Sequence, residues 1–494
     1  MSPTHSRTHP LARRPSSNAP KRRGRVRVWL HGGLIAAALL GAVSAWAQAG
    51  LPPTVSAALA RAKLPPDAMT VLVQEAGKPA HTLVQHRSQV PVNPASVMKL
   101  LTTFSALDIL GPTFTWTTPV YVEGTVREGV LAGNVYIKGQ GDPWLVQERV
   151  WLLMRRLQGL GIQKINGDVV LDRSAFELTP ADPGEFDGER LRAYNVAPDA
   201  LLINFNSLLL TFTPDPTAQV ARVLLEPPLA GVQVPATVPL MDGACNDWRA
   251  PLRADFSDPA RIRLDGRYLA ACKETVWPVA YPQPAGFAAR AVEGVWRGLG
   301  GQLGGKVREG RVPTGLAPAF EVSSPTLAEI IRTINKYSNN VMAQQLFLTL
   351  SLQARGVGTL AASRTLVQDW WRERLGGAEL PQVENGSGLS RSDRISAQAL
   401  ARLLQWGWAS PFMPEMLASL PITGTDGTLK RMRNNAQGQA HLKTGSLRDV
   451  TGVAGYVDAA SGKRYVLVAI ANHANAQAAR PAIDALVEWV AKEH

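Results

Sequence analysis

Pro94-Ala95-Ser96-Val97-Met98-Lys99-Leu100-Leu101-Thr102-Thr103-Phe104 is the stretch from which the rest of the chain can be read. Val97, Leu100, Leu101, Phe104 and Leu107 recur at i, i+3 and i+4. That spacing predicts a buried helix with Ser96 at its entrance and a stop at Gly111-Pro112. Between 97 and 110 the polar residues are only Lys99, Thr102, Thr103, Ser105 and Asp108. A surface helix would show a broader polar face, so Lys99 is read as lining a cleft. Positions i and i+3 share one helix face, which lets Lys99 reach the Ser96 hydroxyl. A serine hydroxyl is a poor nucleophile near neutral pH and needs a base. A lysine can be that base once burial or a nearby cation destabilises its ammonium. Ser96 at a helix N-terminus also sits in a field that favours developing negative charge.

Two later stretches complete a constellation. Helical patterning over Ser324 to Ser351, with Leu327, Ile330, Ile331, Ile334 and Tyr337 on its apolar face, carries Tyr337-Ser338-Asn339-Asn340. This reads as S-x-N (338–340) or as Y-x-N (337–339). Tyr337 extends the apolar series, so packing is assigned to it. Ser338 is read as a proton relay and Asn340 as the holder of a substrate amide. A strand over Ala440 to Thr444 then brings Lys443-Thr444-Gly445 to a sheet edge. Lys443 is the cation expected near Lys99 and offers its charge to a substrate carboxylate, while Thr444 offers a hydroxyl. Gly445, without a Cβ, is expected to admit a substrate backbone. The backbone N–H groups of Ser96 and Ser446 are the expected oxyanion hole.

The chain has 494 residues, too many for one ordinary core. Its ends read as mixed α/β, and residues 117–286 as short strands between turns. The fold class expected is an α/β (α+β) domain made of residues 50–116 and 287–494. It is interrupted at 117–286 by a β-rich region forming one or two smaller domains. Asn385-Gly386-Ser387-Gly388-Leu389-Ser390-Arg391 is a glycine-rich loop, either a turn or a substrate-facing segment. Gly139-Gln140-Gly141-Asp142-Pro143 reads as a structural turn. Gly300 to Lys306 fits the spacing of a phosphate-binding loop, but Val307 replaces the required hydroxyl, so a nucleotide site is rejected. The eight histidines show no metal-ligand spacing, and neither metal nor cofactor is expected.

Charge and cysteines bear on location. Residues 1–47 hold eight Lys/Arg and no acid, which leaves +5 of the net +13 for the remainder. The basicity is therefore that of a leader, and nucleic acid is excluded as a partner. Lys21 to Arg27, the apolar run Leu34 to Val43 and Ala45-Trp46-Ala47 form the three parts of a secretory signal peptide, with cleavage expected near Ala47. In the oxidising space beyond, Cys245 and Cys272 are expected to form a disulfide.

Together, Ser96-Val97-Met98-Lys99, Ser338-Asn339-Asn340 and Lys443-Thr444-Gly445 form the S-x-x-K, S-x-N, K-T-G series of penicillin-binding proteins and β-lactamases. Ser338 lies 242 positions after Ser96, room for added domains that a compact β-lactamase lacks. With Gly139 to Pro143, Gly167 to Asp172, Gly386 to Arg391 and Lys443 to Gly455, the chain resembles the D-alanyl-D-alanine carboxypeptidase/endopeptidase family. These are the low-molecular-mass class C penicillin-binding proteins. The resemblance implies a transpeptidase-like domain with two inserted domains, in a periplasmic enzyme. It implies an acyl-enzyme on Ser96, peptidoglycan stem peptides as substrates and β-lactams as covalent inhibitors; peripheral contact with the membrane is left open. Asn385 and Gln344-Gln345 depart from it, standing where acidic residues are common. A β-lactamase and a catalytically silent wall-binding protein are the alternatives.

Overall fold

The computed structural model describes residues 50–180, 182–432 and 434–493. The leader and its expected cleavage site lie outside the described residues. Five antiparallel strands form the central sheet, in the order Ala440–Leu447, Val450–Asp458, Arg464–Asn472, Met69–Glu75, Lys78–His86. The two ends of the chain are thus laid together, with Val71 opposite Ala469. Helices Pro53–Arg61 and Arg480–Ala491 cover one face. On the other face lies the helix Lys99–Leu110, in which every residue from Lys99 to Leu107 is buried. A helix that is enclosed on all sides must carry its one lysine inside.

The interruption holds two larger sheets. The first has seven strands: Thr117–Arg127, Val130–Lys138, Lys164–Ile165, Val169–Asp172, Gln302–Leu303, Val307–Glu309 and Phe320–Ser323. The second pairs Ser207–Asp215 with Val220–Glu226 and Thr275–Ala280, and extends through Thr237–Met241 to Tyr268–Leu269. Cys245 and Cys272 are bonded, with an S–S distance of 2.07 Å. The two sheets share one apolar core.

The packing corrects the expected return to the outer domain at residue 287. Phe287, Val295 and Trp296 of the helix Pro284–Gly298 bury themselves in the inserted core. Phe320 to Ser323 pair antiparallel with Val120 to Thr117. The insert therefore runs to Ser323, and with helices Gln147–Gly159 and Pro284–Gly298 it is less purely β than its sequence texture. Gly300 to Lys306 contains the short strand Gln302–Leu303 and leads into another, Val307–Glu309, not from a strand into a helix, so the strand-to-helix setting of a phosphate loop is missing.

Gly139 to Pro143 fastens the insert to the outer domain. A Cβ on Gly139 would lie 2.3 Å from the Ala200 carbonyl oxygen. Asp142 accepts the Trp144 N–H at 2.7 Å, and Trp144 packs against the core of the outer domain. Gln345 makes a second fastening. Its amide accepts the Asp199 N–H at 3.0 Å and donates to the Asp199 carbonyl at 2.8 Å. A carboxylate there could not donate, which accounts for the departure at this position.

Candidate active site

Three local structures bring the motifs together. The first is the turn Ala95–Met98, which runs directly into the helix Lys99–Leu110. Ala95 has φ 49°, a left-handed conformation that costs a non-glycine residue on the order of 1 kcal/mol. Asn93 holds the turn: its side chain accepts the Ala95 N–H at 2.8 Å and donates to the Ser390 carbonyl at 2.9 Å.

The second is a corner that the periodicity did not predict. The expected helix through 324–351 is two helices, Leu327–Tyr337 and Asn340–Arg355. A capping box of Thr326 and Glu329 starts the first. Ser338, at φ 57°, ends it, and Asn339 caps the second by accepting the Met342 N–H at 3.1 Å. The break turns Ser338 toward the edge strand, where its hydroxyl takes a hydrogen bond from Lys443 Nζ at 2.9 Å. Tyr337 is 71% exposed, so the packing role expected of it is wrong. The helix buries Lys336 instead, which pairs with Asp426 at 2.6 Å.

The third is the edge strand Ala440–Leu447. Thr444 donates to the Thr428 hydroxyl at 2.8 Å. A Cβ on Gly445 would lie 2.4 Å from the Pro94 carbonyl oxygen and 3.2 Å from the Val97 nitrogen. The close approach that requires glycine is therefore that of the Ser96 turn, not that of a substrate backbone. Ser446 follows it on the strand, exposed and opposite Thr451.

Lys99 is the centre of the cluster. Its Nζ lies 3.0 Å from Ser96 Oγ, 2.6 Å from Asn340 Oδ1 and 2.5 Å from the Ser387 carbonyl oxygen. Burial pushes its pKa well below the usual lysine range; Lys443 pushes it further and Asp393 opposes. Burial also brings Lys443 down to about 7.

Tyr194 and Thr428 escaped the sequence reading, which named Ser387 and Gly388 only as members of a loop that was either a turn or substrate-facing. Ser387 and Tyr194 act through backbone carbonyls; Tyr194, from the insert, accepts the Asn340 side-chain N–H at 3.0 Å. Gly388, at φ 76°, lies where a Cβ would be 2.0 Å from the Ala95 carbonyl oxygen. Thr428 supplies a hydroxyl beside Thr444. The glycine-rich loop is thus a wall of the site. Asn385 suits it: its amide accepts the Ser387 N–H at 3.0 Å and donates to the Leu389 carbonyl at 2.9 Å, which an aspartate could not do.

The choice between the two serine-to-asparagine registers has a direct test. Ser338→Ala is expected to slow acylation by about 100-fold. Tyr337→Phe is expected to stay within about twofold, since the exposed ring has no assigned role. Rates with a fluorescent penicillin would measure both, and the reverse order would overturn the assignment.

Comparison with known proteins gives a consistent picture. The family model described as D-Ala-D-Ala carboxypeptidase 3 (S13) matches residues 51–493. The D-alanyl-D-alanine carboxypeptidase DacB of Haemophilus influenzae is 26% identical over 389 residues, covering 76% of this chain and 80% of the relative. A D-alanyl-D-alanine carboxypeptidase of an Actinomadura species is 27% identical over 395 residues, covering 75% and 71%. The crystal structure of penicillin binding protein 4 from Haemophilus influenzae matches in fold with a TM-score of 0.71 at 23% identity, covering 89% of this chain and 99% of that one.

Proposed function

Because the chain belongs to the D-Ala-D-Ala carboxypeptidase 3 (S13) family, we propose that it is a serine D,D-peptidase whose nucleophile is Ser96 and whose base is Lys99. The observation that carries this reading is the set of partners around one buried amine. A neutral amine has two N–H groups and one lone pair. Asn340 Oδ1 and the Ser387 carbonyl can only accept, so they take the two N–H groups. The lone pair is left for the Ser96 O–H, 3.0 Å away. That is the arrangement a base needs before it removes a proton.

From there the steps follow. Ser96 Oγ attacks the carbonyl carbon of the D-alanyl-D-alanine bond as its proton passes to Lys99. The backbone N–H groups of Ser96 and Ser446 take the developing oxyanion. The proton that Lys99 took returns to the departing amine by way of Ser338, which is hydrogen-bonded to Lys443, and free D-alanine leaves as the carbonyl–nitrogen bond breaks. Lys443, with Thr444 beside it, attracts the terminal carboxylate, and Asn340 holds the substrate's amide. Water then cleaves the acyl-enzyme and regenerates Ser96. A β-lactam offers the same site a strained amide and acylates the same oxygen. Peptidoglycan stem peptides are the substrates this chemistry suits, and an exported, periplasmic location goes with them.

The test is penicillin labelling followed by mass spectrometry of the adduct, alongside release of D-alanine from stem-peptide fragments. One adduct on Ser96 and measurable release are expected. Labelling elsewhere, or rapid turnover of the antibiotic without an adduct, would defeat the reading.

A further inference from the structure

We propose that Asp393 is a positioning residue for acylation, setting the loop 384–391 against Ser96 and Lys99 and balancing the ammonium that Lys99 becomes when it takes the serine proton. This rests on the reading of Lys99 as the base. Asp393 is fully buried. Its Oδ1 accepts the Glu384 N–H at 2.7 Å, and its own N–H donates to Ser390 Oγ at 2.9 Å. The loop between those points gives the Ser387 carbonyl to Lys99 Nζ at 2.5 Å and the Gly386 carbonyl to the Thr102 hydroxyl at 2.6 Å. Gly388 lies against Ala95 and the Ser96 nitrogen. A shift at Asp393 would therefore move the partners of both the nucleophile and the base.

The second oxygen of Asp393 has no hydrogen-bond partner among the described residues. A buried carboxylate left half satisfied is costly unless a cation or a function accounts for it. The charged groups acting on it are Glu384 of the same loop, which raises its pKa, and Lys99 of the serine helix, which lowers it. Lys443 of the edge strand acts on Lys99 in the opposite sense to Asp393. Burial comes first among the causes and brings Asp393 up to about 6, so it is ionised at neutral pH. Once proton transfer makes Lys99 cationic, Asp393 is the charged group acting on it that favours the new charge, whereas Lys443 opposes it.

The experiment is the pH profile of acylation by a fluorescent penicillin for wild type, Asp393→Asn and Ser390→Ala. The asparagine keeps an oxygen for the Glu384 N–H and removes the charge. Without the anion Lys99 loses its proton more readily and is a weaker base. The acid limb should move to lower pH by about 1 unit, and the plateau rate should fall roughly tenfold. Loosening the loop through Ser390→Ala lets water reach Lys99 and should move the limb the other way, so the direction separates charge from support. Asp393→Ser repeats the test if the amide does not fold. A limb that stays in place, or moves to higher pH, in the variants lacking the charge overturns the proposal. An adduct away from Ser96 would instead overturn the functional reading and this proposal with it; an adduct on Ser96 with an unmoved limb overturns this proposal alone.

Discussion

Ser96→Ala is expected to lower D-alanine release by about 10⁴-fold or more and to leave no covalent penicillin adduct. The size of the loss follows from the lack of a substitute. The other hydroxyls near Lys99 are committed elsewhere: Thr102 donates to the Gly386 carbonyl and Thr103 to the Lys99 carbonyl. Ser338 faces Lys443, not Lys99. What remains is a water molecule activated by Lys99, which would have no covalent intermediate to divide the reaction into two easier steps. The fold should survive, because the change removes one hydroxyl at a partly exposed position. A melting temperature within a few degrees of wild type is the control. Reversible binding of substrate should persist, since Lys443, Thr444 and Asn340 are untouched. Measurable acylation of the variant at another residue would sink the assignment.

Lys99→Met should cost about 10³-fold in acylation, and Lys99→Arg at least as much. The pair is informative because arginine imposes a permanent charge that the resting amine lacks, while methionine keeps the length without a basic nitrogen. Arginine remains protonated at any working pH and cannot accept the serine proton. It is also larger than a pocket whose walls lie 2.5 to 3.0 Å from Lys99 Nζ. Forcing it in should destabilise the fold by roughly 1–3 kcal/mol. Methionine fits the space but leaves Asn340 Oδ1 and the Ser387 carbonyl without a donor. Stopped-flow fluorescence with a labelled penicillin gives the rates, and thermal melts separate lost chemistry from lost structure. If the methionine variant acylated within tenfold of wild type, Lys99 would not be the base.

How much could be read in advance depended on the kind of signal. The serine helix was legible because its apolar residues leave no broad polar face, so the one lysine among them has to point inward. The edge strand was legible because the expected strand over Ala440 to Thr444 runs straight into the Lys443-Thr444-Gly445 motif. The corner at Ser338 was not. Apolar spacing continues past it, and nothing in a serine announces a left-handed backbone. Tyr337 was misplaced for the same reason, since the period points inward while Lys336 takes the buried place by pairing with Asp426. Tyr194 and Ser387 contribute main-chain oxygens, which no side-chain motif can reveal. The far boundary of the insert was missed because Gln302–Leu303 and Val307–Glu309 are too short to show a pattern. Their membership is decided by pairing with distant partners.

The register of Val71 against Ala469 ties the segment just before Ser96 to the sheet that carries Lys443. The early strands Met69–Glu75 and Lys78–His86 have no inner neighbour until the segment Arg464–Asn472 has been synthesised, because that strand is what joins them to the rest of the sheet. The insert, by contrast, finds its partners within itself and can condense first. A chain truncated before residue 440 thus holds the serine and its lysine without the strand that bears Lys443, and its site is incomplete.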